Sequence, residues 1–318
     1  MNCRICGNDK GNTHHEAREM MFGTNEAFQY FQCSECGCLQ IAELPASMEK
    51  YYPADYYSYQ INAGNNKFKT FMRNRKTKLA LFGSPFIKSI FKIKPNKSLY
   101  FLSLIPLRED TSILDVGCGA GHLLLSLREI GMEKLLGIDP FNPQDIKYEN
   151  GLMIKKMDLS AVDGRWDIVM LHHSFEHMPD PSEILQIVSR LLVPNGCCVI
   201  RIPVASSYAW NHYGVNWVQL DAPRHFHLHS IASMKILAQR AGLETCKVVY
   251  DSTAFQFWGS EQYLKGISLV DKRSYSKNSR DSIFSKEDIS VFTARANELN
   301  DRKEGDQAIF YLKKTSAH

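Results

Sequence analysis

The stretch Leu114-Asp115-Val116-Gly117-Cys118-Gly119-Ala120-Gly121, followed by an isolated acid at Asp139, decides the fold of this chain. Ser112 to Val116 is a short apolar run that ends in the glycine turn. His122 to Ile130 then carries apolar residues at helical spacing and closes at Gly131. Lys134 to Ile138 is a second apolar run, tipped by Asp139. Strand, glycine turn, helix, strand and acid make up half of a nucleotide-binding α/β sheet.

The glycine spacing narrows the ligand. Dinucleotide sites use G-x-G-x-x-G, with the diphosphate on the helix N-terminus. Here Gly117, Gly119 and Gly121 run G-x-G-x-G, and the third dinucleotide position is His122. The pattern resembles the class I methyltransferases, which bind S-adenosylmethionine (SAM) at (D/E)-x-G-x-G-x-G. SAM has no phosphates, and its methionine half needs a close backbone approach that glycine permits. The competing readings are a NAD site and a glycine turn without a ligand.

The resemblance implies a Rossmann-like SAM-methyltransferase sheet, mostly parallel with an antiparallel last strand and order 3-2-1-4-5-7-6. It places Asp115, Gly117, Cys118, Gly119 and Gly121 around the methionine end and gives the ribose hydroxyls to Asp139, with Pro140 beside it. Asp158 and Leu159 sit at the adenine, and His172 leaves its strand near the transferable methyl. For Asp158 the plain alternative is a loop-capping aspartate.

Ahead of this domain, residues 1–46 hold Cys3-x-x-Cys6 and Cys33-x-x-Cys36. Two such knuckles close a tetrahedral thiolate site, so a zinc-ribbon module with a structural Zn2+ is expected, able to unfold on chelation while the SAM domain survives. His14, His15 and Cys38 are spare ligand types, read as ordinary surface or core residues. Residues 47–110 read as a tyrosine-rich hinge and a basic helical linker, because 56–108 contains no Asp or Glu. That linker suits a solvated helix with one packed face, or a grip on an anionic membrane surface or RNA.

The methyltransferase domain is expected over 111–318, with insertions at about 203–229 and 252–304. Further strands are read at 151–156, 165–171, 197–203, 244–250 and 308–312, the last two antiparallel. Asp180-Pro181-Ser182-Glu183 reads as a helix start with Asp as N-cap. The net charge of +4 is mild. No secretory signal or membrane-spanning run is read, so a cytoplasmic protein is expected.

Acceptor chemistry is sought in two segments. His172-His173-Ser174-Phe175-Glu176-His177-Met178-Pro179-Asp180-Pro181 resembles the Glu-His-x-x-Asp-Pro signature of small-molecule methyltransferases, ubiquinone-type O-methyltransferases among them. The Pro223-Arg224-His225 motif resembles a segment of methyltransferases of bacterial surface-glycan biosynthesis. His173, His177 and His225 are the candidate general bases, since a neutral imidazole suits neutral pH. Holding the loop through backbone bonds is the alternative for Glu176 and His177. Arg224 is a candidate phosphate or carboxylate binder, His227 and His229 read as a half-exposed strand, and a three-histidine metal site is a minor alternative. The expected function is methyl transfer to a small-molecule, sugar or lipid-linked acceptor. An RNA methyltransferase and a non-catalytic SAM-fold binding module are the competitors.

Overall fold

The structure, a computed structural model, describes residues 1–52, 67–83 and 97–314; side chains 67–71, 97 and 98 are outside the description. The tyrosine run beyond Tyr52 and the basic stretch between 83 and 97 lie outside the described residues. The chain divides into two compact units. A ribbon unit comprises Met1–Tyr52, His173–Ser189 and Ile200–Thr315; a sheet unit comprises Pro53–His172, Arg190–Val199 and Ser316–His318.

The ribbon unit begins with β1 (Thr13–Arg18), β2 (Ala27–Gln32) and β3 (Leu39–Ile41), an antiparallel meander. The sheet unit holds α1 (Lys67–Phe82), β4 (Ile113–Val116), α2 (His122–Glu129), β5 (Leu135–Ile138), β6 (Ile146–Lys147), β7 (Met153–Lys155) and β8 (Trp166–His172). Helix α3 (Pro181–Leu191) and strand β9 (Leu192–Pro203) follow. In the sheet unit the order is β9-β8-β4-β5-β7-β6, parallel along β8-β4-β5-β7. All four residues of β4 are buried, as a central parallel strand requires. At the start of α3, Glu183 N donates to Asp180 Oδ1 at 2.9 Å, the expected N-cap. In α1, Thr77, Ala80 and Leu81 are buried while Arg73, Arg75 and Lys76 are exposed, so this helix packs one face.

The ribbon unit resumes with α4 (Tyr208–Tyr213), β10 (His227–Leu228), α5 (Ile231–Arg240), β11 (Leu243–Tyr250), α6 (Phe255–Leu264), α7 (Lys286–Asp301) and β12 (Gln307–Lys314). The last two strands pair antiparallel, and the order there is β11-β12-β9. With β9 as strand five, the sheet-unit order 3-2-1-4-5 and the ribbon-unit order 5-7-6 each match the expectation, and β6 adds an antiparallel edge beyond β7.

Residues 1–46 do not stand apart. β10 pairs antiparallel with β3, so the sheet runs β1-β2-β3-β10. Tyr30, Leu39 and Ile41 share one buried cluster with Trp210, Trp217, Phe226, Leu228 and Phe257. A segment this short buries too little apolar surface alone, and the 203–229 and 252–304 insertions supply the rest. The three-residue strand β3 gave no period long enough to reveal this partnership.

Candidate functional site

In the sheet unit the glycine turn sits at the end of β4. Gly117 N donates to Ile138 O at 2.8 Å. Gly117, Gly119 and Gly121 all have positive φ (71°, 54° and 76°), a region that side chains rarely enter. A Cβ on Gly121 would also lie 2.3 Å from Ile154 Cδ1. Asp139 at the tip of β5 braces the turn: Oδ2 accepts from Gly119 N at 2.8 Å and Oδ1 from Phe141 N at 2.9 Å. Two further braces escaped sequence reasoning. Asn142 Nδ2 donates to Gly119 O at 2.8 Å and Tyr148 OH to Ala120 O at 2.5 Å. Neither falls in a spacing pattern that marks a loop contact.

Asp115 is buried and its Oδ1 has no hydrogen-bond partner. Burial, then the charge of Asp139, pushes its pKa up to about 8. An orphaned carboxylate oxygen beside a glycine turn suits a cationic or N–H group of a ligand, and the ammonium of SAM is such a group. A raised acid holds its proton in the fold, so stability falls as pH rises from the usual aspartate value of ~4 towards about 8. Asp115→Asn is expected to flatten that fall in thermal melts of the ligand-free protein between pH 6 and 9; parallel slopes would refute the buried charge.

Other expected cofactor residues take varied positions. Cys118 is half-buried within the turn and Pro140 half-buried after Asp139. Asp158 is exposed before the 3-10 turn Leu159–Ala161, and its side chain makes no cap bond, against the plain capping reading. Leu159 is buried. His172 ends β8, half-buried, its ring 5.4 Å from that of Phe101.

In the ribbon unit the structure brings His177 and His225 together around Glu176. The two rings lie edge to face at 4.7 Å. His177 Nδ1 is 2.8 Å from Arg224 O and 3.1 Å from Tyr52 OH. His225 Nδ1 is 2.8 Å from Gln219 O. A carbonyl can only accept, so each Nδ1 carries a hydrogen, and the neutral form of either ring has its lone pair on Nε2. Glu176 is fully buried, with His173 Nδ1 at 3.4 Å and His225 Nε2 at 4.0 Å from Oε1. His173 itself has φ +53°, and its N donates to Arg201 O at 2.9 Å. Burial pushes Glu176 up, but the imidazoles of His173, His177 and His225 pull it down to about 2. Burial and then the His177 charge hold His225 down at about 4. At neutral pH His225 is therefore an uncharged imidazole.

Two expectations need correction. Arg224 is fully buried, and Nη2 donates to Glu19 Oε1 at 2.9 Å and Asp221 Oδ1 at 2.6 Å, so the chain's own carboxylates occupy the guanidinium. His227 and His229 are fully buried instead of half-exposed: His227 lies in β10, the fourth strand of the ribbon sheet, and His229 follows it in a bridge to Val204. Arg4 Nε donates to His227 Nε2 at 3.2 Å, and His229 stacks on Phe175 at 5.2 Å. Among the described residues, neither joins His225 in a group with metal-ligand spacing.

Also in the ribbon unit, one sulfur from each of Cys3, Cys6, Cys33 and Cys36 lies within 4.8 Å of the others. Cys3 Sγ and Cys36 Sγ are 3.6 Å apart, and Cys6 Sγ and Cys33 Sγ 3.5 Å, far beyond a disulfide bond. Each knuckle closes on a glycine: Gly7 N donates to Cys3 O and Gly37 N to Cys33 O, both at 2.9 Å. Both glycines have positive φ, 84° and 69°. These glycines are a sequence signal beyond the cysteine spacing. Backbone N–H of Ile5 and Gln40 Nε2 donate to Cys3 Sγ at 3.4 and 3.1 Å, which suits a thiolate. His14, His15 and Cys38 stand outside the group.

A family described as "Methyltransferase domain" matches residues 88–248. The ubiquinone biosynthesis O-methyltransferase of Colwellia psychrerythraea is 33% identical over 97 residues, 27% of this chain and 39% of that protein. The enzyme of the same name from Thiobacillus denitrificans is 28% identical over 176 residues, 50% of this chain and 75% of that protein. The chain thus spans between about two fifths and three quarters of the length of these two relatives. An S-adenosylmethionine dependent methyltransferase from Mesorhizobium loti superposes with a TM-score of 0.43 at 13% identity, covering 69% of this chain and 98% of that one. Among the described residues, no helix is long and apolar enough to cross a membrane.

Proposed function

The chain belongs to the methyltransferase-domain family, and from that premise we propose that it transfers a methyl group from SAM to an oxygen or nitrogen of a small-molecule, sugar or lipid-linked acceptor. The observation that carries this reading is the glycine turn braced by Asp139 beside the orphaned carboxylate of Asp115. Asp115 and Gly117 to Gly121 hold the methionine end, Asp139 accepts from the ribose, and Asp158 and Leu159 receive the adenine. When bound, SAM supplies an activated methyl on a sulfonium, so the chemistry resides in the cofactor. The protein aligns the acceptor and takes its proton. The groups for that task are His173, His177 and His225, of which His177 and His225 meet at Glu176. Relatives named for ubiquinone O-methylation support a hydroxyl acceptor, and a surface-glycan precursor is the finer reading carried by Pro223-Arg224-His225. The four-cysteine group is proposed to hold a structural Zn2+: its sulfur spacings suit a tetrahedral thiolate site that leaves no position open.

The test is transfer of labelled methyl from SAM into cell extract, split into RNA and small-molecule plus lipid fractions. Label in the second fraction is the expected result. Label lost on ribonuclease treatment would replace the acceptor class with RNA, and absence of SAM binding would leave a non-catalytic scaffold. With the acceptor in hand, His225→Ala is expected to lower kcat by ~10²–10⁴-fold, the usual yield of acid–base catalysis. SAM affinity should stay within about twofold of wild type, because none of the proposed cofactor residues is replaced. Unchanged kcat would remove His225 from the reaction.

A further inference from the structure

We propose that Glu176, His177 and His225 form a binding site for a divalent metal ion, separate from the four cysteines. One ligand atom from each of these three residues lies within 4.8 Å of the others. Two imidazoles and one carboxylate with open positions are a donor set for Zn2+, Mn2+ or Fe2+. Each imidazole is already oriented as a metal ligand is, with Nδ1–H held by a backbone carbonyl: His177 on Arg224 O and His225 on Gln219 O, both at 2.8 Å. That arrangement fixes the tautomer and leaves the Nε2 lone pair for a cation.

The independent observation is the state of Glu176. The residue is fully buried, and neither carboxylate oxygen has a hydrogen-bond partner in bonding geometry. His173 Nδ1 stands 3.4 Å from Oε1 outside bonding geometry, so both oxygens keep lone pairs that a coordinated cation would take. The His225 Nε2 lone pair faces Glu176 Oε1 at 4.0 Å and Asp221 Oδ2 at 3.8 Å. A lone pair set against two carboxylates is repulsive unless something positive lies between them. Arg224 already satisfies Asp221, leaving Glu176 as the carboxylate that needs a cation. Three protein ligands leave coordination positions open for an acceptor hydroxyl, which the metal would make more acidic. This use of the site rests on the methyl-transfer reading and makes His177 and His225 ligands of the metal in place of bases; the metal binding itself does not rest on it.

The test is a Mn2+ titration of the full chain followed by electron paramagnetic resonance, with SAM binding measured calorimetrically on the same sample. Mn2+ favours carboxylate and imidazole over thiolate donors, so the cysteine group does not compete. One Mn2+ per chain is expected, weakened at least ~100-fold in Glu176→Gln and in His225→Ala, beyond the ~10–100-fold typical of supporting residues. Excess Zn2+ should displace it. No bound Mn2+ in the folded wild-type chain at millimolar metal would overturn the inference, as would undiminished binding in both variants. If a variant fails to fold, wild-type stoichiometry and His177→Ala decide. Loss of metal binding with SAM binding intact would leave the methyltransferase reading standing. Metal binding without SAM binding would do the reverse.

Discussion

Asp139→Ala is expected to weaken SAM binding by ~10²–10⁴-fold while the protein stays folded. The carboxylate is the acceptor proposed for two ribose hydroxyls, and hydrogen bonds to a charged group contribute about 1.5–3 kcal/mol each. Two of them sum to about 3–6 kcal/mol, at 1.4 kcal/mol per tenfold in affinity. The same side chain also accepts from Gly119 N and Phe141 N, so alanine leaves those two N–H groups to water and loosens the turn from within. Folding should survive because the turn keeps its other ties: Gly117 N to Ile138 O, Asn142 Nδ2 to Gly119 O and Tyr148 OH to Ala120 O. Calorimetric titration with SAM, beside a thermal melt, checks both halves. Unchanged affinity would remove the cofactor assignment; a chain that no longer melts cooperatively would make Asp139 a folding residue first.

The α/β sheet was legible because each of its signals is local. An apolar run flanked by glycines reads as a buried strand, and the antiparallel pair β11-β12 lay in two such runs. The glycine turn was legible for the same reason, since Asp115 to Gly121 and Asp139 are spaced along one strand–turn–helix–strand unit. What stayed hidden depended on contacts between distant segments. The sequence allows Glu176 as a loop anchor, and only the fold shows both its oxygens without hydrogen-bond partners beside His225, 49 positions away. Pro223-Arg224-His225 alone implies a phosphate or carboxylate binder, whereas Glu19, 205 positions earlier, occupies the Arg224 guanidinium. His227 and His229 alternate with apolar neighbours, which correctly implies a strand. The burial of both faces, His227 and His229 on one and Leu228 on the other, depends on pairing with the N-terminal ribbon, which no periodicity within 225–229 encodes.

Removing the proposed Zn2+ from the four cysteines is expected to unfold far more than residues 1–46. A structural zinc site contributes roughly 10–16 kcal/mol of apparent binding free energy in small modules, comparable with the whole stability of a domain. An independent ribbon would confine that loss to its own segment, as the cysteine spacing alone suggested. We propose instead that the ribbon unfolds together with the segments it contacts. β10 hydrogen-bonds to β3, Ser230 Oγ donates to Cys36 O, and Arg240 donates to Ile5 O within the first knuckle. Trp210 and Trp217 pack in one cluster with Tyr30 and Leu39. Chelation should therefore strip hydrogen-exchange protection from 205–230 and from the Glu176–His177–His225 group together with the ribbon, because cooperative units lose protection together. Cys6→Ser should reproduce the pattern without chelator. The measurement is amide exchange by mass spectrometry before and after metal removal. Protection lost only within residues 1–46 would restore the independent module. Loss that runs through 205–230 would mean that the metal at the cysteines holds the histidine–glutamate cluster in place, so that zinc supports a reaction at whose atoms it takes no part.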